Sequence, residues 1–330
     1  MGTCREDRTP VGAVTASQPA RLSGLRGMPA RPCHAAPVTD LAVFEAHRAL
    51  LLAHAYRMLG DLGRAEDIVQ DAWLRWQGRR DEVVSPRAYL ITIVTRLCLN
   101  ELDSARHRRE ESRGDRLPEP VDLAATGLDR VAALDQLSMA FLVALQRLTP
   151  AERAVLLLRD VLELEFSEIG ALVGKSEPAC RKLLERAREH VATERRLFAT
   201  PADAHRRLLG AFVKAATAGD AGELAALLVG DAVMVADGGA AGRAVGGVRN
   251  LALPLNGAPA IAAFVVEVTR RAALAVELRE VNGQPAMVTY DGAGPFSVLL
   301  LGVADDRIHR IYVHADAARL GHLGPRLFRP

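Results

Sequence analysis

The sequence predicts a multidomain protein in which two all-α helical domains precede one α+β domain. Apolar residues recur at helical spacing from about residue 40 to 103 and again from about 130 to 197. After about residue 203 this pattern gives way to short β-like runs, which is typical of an α+β domain. A length of 330 residues with 49% hydrophobic content is enough for two or three domains with their own cores.

The domain boundaries follow from changes in composition. The start of the chain is rich in Ala, Arg, Pro and Gly without periodicity, which predicts disorder; a misassigned start codon is the alternative. The segment between the helical domains is charged and contains prolines, as linkers do. The predicted order is a disordered leader at 1–38, a helical domain at 39–110, a linker at 111–130, a second helical domain at 131–197 and an α+β domain at 203–326.

Composition limits the class of partner. The formal net charge is only +2, so any nucleic-acid surface must be local. The cysteines show neither CxxC pairing nor metal-ligand spacing, which indicates reduced thiols in the cytoplasm, and we expect neither a metal nor a cofactor. No apolar run could span a membrane, and the N-terminus lacks the apolar core of a secretory signal. We therefore expect a cytoplasmic protein that does not act at a membrane.

The first helical domain contains clear local signals for helix ends. Asp40 is a candidate N-cap for an amphipathic helix that Gly60 ends, and Asp61 can cap the next helix. Pro86, directly after a serine, is typical of a helix start, and that third helix runs toward a basic cluster at Arg106.

The second helical domain contains a helix–turn–helix pattern between Leu148 and Arg188. Gly174 ends one helix, and Ser176 is placed to cap the following helix. That helix has a basic outward face, as do the helices with which helix–turn–helix proteins enter the DNA major groove. The alternative is an ordinary helical hairpin with a solvated charged face, which has the same pattern. The basic residues on this face are Arg181, Lys182, Arg186 and Arg188.

The last third of the chain alternates between strands and helices. Helical spacing from Leu208 to Ala216 precedes the β-like runs, and one further helix, about Ala258 to Arg270, interrupts them. This order favours a mostly antiparallel sheet. The β-like runs are Ala232–Ala236, Arg243–Val248, Leu274–Val281, Ala286–Tyr290, Phe296–Val303 and Arg307–Val313.

Several motifs together resemble an extracytoplasmic-function sigma factor of the sigma-70 family. Gly60-Asp61 with Ala65–Trp73 resembles the core-polymerase-binding segment of region 2, and Ser85–Leu90 resembles the start of the segment that melts and reads the −10 element. Leu148–Arg153 with Phe166–Ile169 resembles region 4, a helix–turn–helix domain. The resemblance implies a protein that binds core RNA polymerase, recognises −10 and −35 promoter elements, and is not an enzyme.

The remainder resembles the subgroup of that family with a fused SnoaL-like C-terminal domain, of the nuclear-transport-factor cone type. Ala218-Gly219-Asp220 and Asp237-Gly238-Gly239 are similar to motifs of such a domain, and Leu117–Pro120 resembles the linker of this subgroup. The resemblance therefore implies an α+β cone as the third domain.

The resemblance also assigns roles to individual residues. Arg181 is expected to reach base edges, whereas the other basic residues of its helix hold phosphates. A solvated helix face is the alternative for each exposed charge. The polymerase-binding set is Asp61, Glu66, Asp67, Gln70, Asp71 and Trp73. The DNA-binding set is Arg87, Arg96, Asn100 and Arg106 in region 2, with Ser176, Glu177, Arg181, Lys182, Arg186 and Arg188 in region 4.

We expect the C-terminal domain to regulate rather than to catalyse. Glycines permit close backbone approach, so a turn at Asp237, Gly238 and Gly239 is a candidate to dock on the linker at Leu117, Pro118, Glu119 and Pro120. The domain could also hold an unknown small ligand. His309 and His314 differ by an odd number of positions, so on a regular strand they would face opposite sides. The acid–base candidates are Asp237, Tyr290, Asp291, His309, Tyr312 and His314.

Two alternatives follow from the same pattern. A one-component DNA-binding regulator with a ligand-sensing tail would account for residues 148–188 but not for the domain at 40–110. A SnoaL-like enzyme fused to a DNA-binding module would require a polar-lined cavity in the last domain.

Overall fold

The computed structural model describes residues 39–109, 116–128, 137–198, 200–239, 242–245, 247–249, 251, 253–272, 274–292 and 294–325. The predicted leader at 1–38, parts of the predicted linker and the side chain of Arg106 lie outside this description. No helix of the described chain is long and apolar enough to cross a membrane.

Three helices form the first helical domain: α1 (Asp40–Leu59), α2 (Leu62–Trp76) and α3 (Pro86–Arg109), with a short 3-10 turn at Arg80–Glu82. Gly60 ends α1 with a left-handed φ of 68°, and the Asp61 carboxylate accepts from the Arg64 amide at 3.0 Å. These local signals are confirmed. The N-cap predicted at Asp40 is wrong by one residue, because the Thr39 side chain accepts from the Ala42 amide.

Helix α1 is not the amphipathic helix that its sequence predicts. Every residue from 51 to 58 is buried. Helices α2 and α3 cover two sides of α1, and helices of the second domain cover a third. His54 therefore lies in the core, where its Nε2 bonds to Thr95 Oγ1 at 2.8 Å. Burial lowers the pKa of His54 to about 3, so the imidazole is neutral.

The second helical domain follows the short helix α4 (Leu123–Thr126). It contains α5 (Met139–Gln146), α6 (Pro150–Leu156) with a π-helical turn at Leu157–Val161, α7 (Phe166–Val173) and α8 (Glu177–Phe198). Thr149 and Glu152 form a reciprocal capping box at the start of α6. Gly174 ends α7 in the left-handed region. The two predicted helical domains share one continuous apolar core.

The C-terminal domain begins with helices α9 (Ala202–Ala218) and α10 (Ala221–Leu227). A six-stranded sheet has the order β4-β1-β8-β7-β6-β5, and β1 and β8 are its parallel pair. Helix α11 (Ala258–Arg271) packs against α9, α10 and β1. The predicted α+β domain with a mostly antiparallel sheet is confirmed. The strands are β1 (Leu228–Asp237), β4 (Leu255–Asn256), β5 (Ala275–Val281), β6 (Gln284–Asp291), β7 (Gly294–Ala304) and β8 (Arg307–His314), with a separate hairpin of β2 (Ala244–Val245) and β3 (Val248–Arg249).

The two faces of the sheet carry different cores. One face packs with α9 and α11 around residues such as Phe212 and Ile261. The opposite face packs against the helical domains, where Leu117, Met139 and Leu197 join strand residues in a second core. The C-terminal domain is thus joined by apolar packing to the linker and to helices α5 and α8.

The two histidines of β8 do not alternate as predicted. The register between β7 and β8 shifts from Gly302–Arg310 to Val303–Ile308, so His309 is an extra residue in a bulge. Both His309 and His314 are buried. His309 lies close enough to Arg196 of α8 for that cation to lower its pKa, after burial as the larger cause. A regular strand was therefore the wrong premise for this pair.

Candidate functional site

The candidate polymerase surface lies on the outer side of α2. Glu66, Asp67, Gln70 and Asp71 are all exposed. Leu74 continues the line of Asp67 and Asp71 one turn further and is 60% exposed. A large exposed apolar residue beside acidic side chains is typical of an interaction surface. Leu74 was not predicted as part of this surface because the helical periodicity of α2 indicates only its buried stripe.

The other two residues of the polymerase-binding set support the position of α2. Asp61 caps the helix, as described above. Trp73 is half-buried and packs on Phe44 of α1, with ring centroids 5.1 Å apart. These contacts fix the helix and leave its acidic side facing solvent.

Two exposed arginines of α3 bond to the second helical domain. Arg87 donates to the carbonyl of Leu162, and Arg96 donates to the carbonyl of Ala171, each at 3.5 Å. Asn100 is exposed further along the same helix. Two of the predicted −10 contacts therefore point at α7 and the turn before it. We call this packed arrangement of the two helical domains the closed form.

The helix–turn–helix of the second domain depends on a glycine that the sequence pattern did not single out. A Cβ at Gly170 would lie 2.6 Å from the carbonyl oxygen of Lys175, in the backbone between α7 and α8. The Lys175 amide donates to the Gly170 carbonyl at 3.0 Å. Only glycine allows the turn to come this close to α7. The available signal was a glycine within an otherwise regular helical stripe.

The predicted DNA-facing residues of α8 are exposed, and most have local partners. Ser176 and Glu177 lie at its start, and Lys182 points outward. Arg181 stacks over the Phe166 ring at 4.2 Å and pairs with Glu177 at 3.5 Å. These contacts orient the guanidinium near the start of the helix, where side chains reach base edges.

Two further arginines of α8 pair with acids of their own domain. Arg188 binds both oxygens of Asp160, at 2.6 and 3.0 Å. Arg186 lies 3.4 Å from Glu152, the capping-box residue of α6. Both arginine side chains are exposed, but Arg188 is held by two hydrogen bonds and the Glu152 partner of Arg186 is buried.

The linker at residues 117–121 is buried along its whole length. Two of its five residues are prolines, so it has three backbone amides. Leu117 donates to Asp237 Oδ2 at 3.1 Å, Glu119 donates to the Gly60 carbonyl at 2.9 Å, and Val121 donates to Asn282 Oδ1 at 3.0 Å. Each amide of this segment is thus bonded outside the linker.

The carbonyls of the same segment accept hydrogen bonds both from the C-terminal domain and from α1. Those of Leu117, Pro120 and Val121 accept from residues of the C-terminal domain: Arg319 Nη1 at 2.8 Å, His322 Nε2 at 2.5 Å and the Asn282 amide at 2.8 Å. The Glu119 carbonyl accepts from Tyr56 of α1 at 2.5 Å. Burial raises the pKa of Tyr56, so its hydroxyl keeps the proton it donates. We call residues 117–121 with these partners the clasp.

Arg319 directly joins the turn after α1, the linker and the C-terminal domain. Its Nη1 lies 3.4 Å from Asp237 Oδ2, and its Nη2 donates to the Gly60 carbonyl at 3.1 Å. Asp237 is buried at the end of β1 and also accepts from the Gly239 amide at 3.0 Å. Gly239 has a φ of 70°, and a Cβ there would lie within 3 Å of the Asp316 carboxylate. Gly238 is half-buried between them.

Sequence reasoning missed the clasp residues Asn282, Arg319 and His322. Asn282-Gly283 is an Asn-Gly pair with positive φ at both positions, which is a recognisable hairpin signal between β5 and β6. The same turn places Asn282 Nδ2 2.7 Å from the Tyr56 hydroxyl. Arg319 and His322 lie in irregular segments after β8 that carry no periodic signal.

A cavity of about 150 Å³ lies between the sheet and helices α9 and α11. Its wall is mainly hydrocarbon, with Phe212, Phe264 and Phe296 among the larger contributors. None of the six acid–base candidates lines it, and Arg243 is the one charged residue among the described lining residues. His314 points to the opposite face, where burial lowers its pKa to about 3. Within the described ranges, no cluster of His, Cys, Asp or Glu could hold a metal ion.

Comparison with known proteins agrees with this architecture. Residues 43–108 match the family model of Sigma-70 region 2, and residues 138–191 match that of Sigma-70, region 4. The chain is 40% identical over 218 residues to the ECF RNA polymerase sigma factor SigJ of Mycobacterium tuberculosis, which covers 64% of this chain and 69% of that protein. It is 31% identical over 294 residues to the probable ECF RNA polymerase sigma factor SigI of the same organism, covering 87% and 96%.

The similarity extends to three dimensions and to the C-terminal domain. The crystal structure of Mycobacterium tuberculosis SigJ aligns with a TM-score of 0.67 at 29% identity, over 86% of this chain and 98% of that chain. Because this match spans nearly all of SigJ, it includes the SnoaL-like α+β domain. The chain belongs to the extracytoplasmic-function sigma factors of the sigma-70 family.

Proposed function

We propose that this sigma factor binds core RNA polymerase through the exposed side of α2 and promoter DNA through α3 and α8. We further propose that its own C-terminal domain controls access to these surfaces and has no catalytic role. The relatives named above are RNA polymerase sigma factors, which supports the two partners.

The polymerase contact is supported by the composition of the α2 surface. Asp67, Gln70, Asp71 and Leu74 form one exposed stripe. Acidic side chains speed encounter with a basic partner and set its register, while the leucine supplies apolar area to bury.

Promoter binding requires the closed form to open. Arg87 and Arg96 of α3 each donate to the second helical domain at 3.5 Å, so these bonds must break before the two exposed guanidinium groups can bind −10 DNA. The start of α8, with Arg181 and Lys182, is exposed in the same form. Separation of α3 from α7 would release the −10 surface and let the two helical domains reach two promoter elements.

One observation carries the regulatory proposal: the linker between the two DNA-reading domains is bonded to Gly60 on one side and to Asp237, Asn282 and Arg319 on the other. These contacts stabilise the closed form without touching DNA or polymerase. A domain that binds the closed form better than the open form shifts the equilibrium toward the closed form, by the difference between the two binding free energies. The C-terminal domain would therefore set the fraction of open sigma factor.

Promoter-dependent transcription in vitro with core polymerase tests this proposal. Deletion of residues after about 203 is expected to change transcript yield severalfold, in either direction, and Asp237→Ala is expected to do so partially. Asp231→Ala is the matched control, because Asp231 lies on the same strand but is exposed. If full-length, truncated and Asp237→Ala proteins give the same yield, the regulatory proposal is wrong.

The same experiment separates the alternatives. A one-component regulator would bind its promoter tightly without polymerase, whereas we expect sequence-specific binding to depend on core enzyme. An enzymatic role for the C-terminal domain finds little support in its cavity, whose described lining carries neither a carboxylate nor an imidazole.

A further inference from the structure

The apolar cavity of the C-terminal domain is large enough to hold a small molecule. Its volume of about 150 Å³ matches that of an apolar protein cavity known to take up benzene. Strands β1, β5, β6, β7 and β8 and helices α9 and α11 supply the wall, including Met234, Met287 and Leu299. The described part of the wall is therefore matched to an apolar body of about one ring.

The polar groups of the wall are mostly used within the protein. Thr289 Oγ1 and Ser297 Oγ bond to each other at 2.6 Å, and Thr217 bonds to carbonyls of its own helix. These hydroxyls are occupied, so they do not select a ligand strongly.

Arg243 is the exception. Its guanidinium stacks over the Phe296 ring at 4.2 Å, and Nη1 donates to the Phe296 carbonyl at 2.9 Å. Stacking and this bond hold the side chain at the cavity wall. Because a guanidinium has five N–H donors, others remain that a ligand can accept from. Among the described residues, Arg243 contacts Phe296 and the Pro295 carbonyl but no carboxylate, and residues 240–252 contain no Asp or Glu. A fixed cation in a hydrocarbon wall is complementary to a ligand anion.

We propose that this cavity is a receptor site for a small organic anion, a monocarboxylic acid whose apolar body is about the size of one ring. The body lies against Phe212, Phe264 and Leu299, and the carboxylate accepts from Arg243. No bond is made or broken. The site adds a ligand class to the proposed regulatory function. Ligand binding itself does not depend on that function, but its effect on transcription does.

The position of the cavity connects it to the clasp. Val313 and Ala315 line it, and between them His314 points to the linker side of the sheet. The Ala315 amide donates to the Asp237 carbonyl at 2.7 Å. A ligand that packs on Val313 and Ala315 therefore contacts the same strand ends that hold Asp237 against Leu117.

Benzoate and the uncharged benzyl alcohol are suitable probes, titrated into the full-length protein by ligand-observed NMR. We expect both to bind, and Arg243→Gln to weaken benzoate roughly tenfold or more while leaving benzyl alcohol nearly unchanged. Arg243→Lys should retain part of the preference for benzoate. Arg206→Gln, an exposed arginine of α9, is the matched control and should change neither affinity.

Ala216→Phe tests the location, because Ala216 lines the cavity and the larger side chain would fill it. It should abolish binding of both probes, with circular dichroism confirming the fold. The inference is wrong if benzoate does not bind the wild-type protein, if Arg243→Gln weakens both probes equally, or if Ala216→Phe still binds benzoate. Neither polymerase nor DNA is present, so failure here is distinct from failure of the transcription experiment.

Discussion

The guanidinium of Arg319 donates to the carbonyl of Gly60 at 3.1 Å, across 259 positions of sequence. Gly60 ends α1 just before α2, and Arg319 lies in the 3-10 turn Ala317–Arg319 that follows β8. The same guanidinium binds the Leu117 carbonyl and lies beside Asp237. One side chain therefore joins the turn between α1 and α2, the linker and the C-terminal domain.

We expect the acidic side of α2 to be needed for polymerase binding but not for folding. Asp67→Arg with Asp71→Arg should weaken the affinity for core enzyme, because both residues are exposed and the change opposes complementary charge. The same charge change at Asp231 and Glu280, exposed residues of the C-terminal domain, is the control. Unchanged affinity of the α2 variant, with normal helicity, would refute the assignment of this surface.

Leu74→Ser makes a separate prediction for the same surface. At 60% exposure, Leu74 contributes little to the core, so the free energy of unfolding should change by less than about 0.5 kcal/mol. If the leucine is buried at the interface, its loss should cost on the order of 1–2 kcal/mol of binding to core enzyme. A titration of labelled sigma factor with core polymerase measures this, and equal loss of stability and affinity would argue against an interface.

The start of α8 should distinguish base contacts from phosphate contacts. Arg181→Ala is expected to cost about 1–3 kcal/mol at one −35 position and to relax the choice of base there. Lys182→Ala should weaken binding to all promoter sequences alike and make the affinity less dependent on salt concentration. Binding of holoenzyme to a set of single-base promoter variants measures both. A uniform loss in both variants would make Arg181 a phosphate contact.

Gly170→Ala should destabilise the helix–turn–helix. The new Cβ would lie 2.6 Å from the Lys175 carbonyl, and backbone must move to relieve the contact. We expect a loss of about 1–3 kcal/mol in urea unfolding followed by circular dichroism. Gly210→Ala in α9 is the control, because its Cβ meets nothing within 4 Å and the change should stabilise that helix by up to about 1 kcal/mol. The prediction fails if the two variants behave alike.

His322 should make the clasp sensitive to pH. Burial lowers its pKa, but the Glu119 carboxylate at 3.2 Å and the Pro120 carbonyl outweigh that effect, and the net pKa is raised above 6.5. The contribution of protonated His322 to the stability of the clasp is therefore complete below about pH 6.5. It is lost as the pH rises through the raised pKa of His322.

Hydrogen exchange of the linker amides, corrected for the intrinsic effect of pH, measures this. Exchange should be slower near pH 6 than near pH 8, and His322→Gln should reduce the difference. His314 remains in both proteins, so the comparison isolates His322. The same pH dependence in wild type and variant would contradict the role of this ion pair.

Local signals allowed much of the fold to be predicted from the sequence. The turns at Gly60 and Gly174, the start at Pro86 and the succession of strands depend on neighbouring residues, so they could be read directly. The burial of α1 could not, because α3 and the second helical domain cover it from distant parts of the chain. The burial of Glu119 could not be predicted either, since it depends on bonds to Leu62 and His322 that no local pattern indicates.

Hydrogen exchange at Leu117, Glu119 and Val121 tests the central claim most directly, because these amides bond to Asp237, Gly60 and Asn282 in the closed form. Measured by mass spectrometry on the full-length protein, they should be protected in free sigma factor, exchange faster in Arg319→Ala, and lose protection when core polymerase binds. Rapid exchange in the free wild-type protein, or protection that Arg319→Ala and core polymerase both leave unchanged, would contradict a clasp that holds the sigma factor closed.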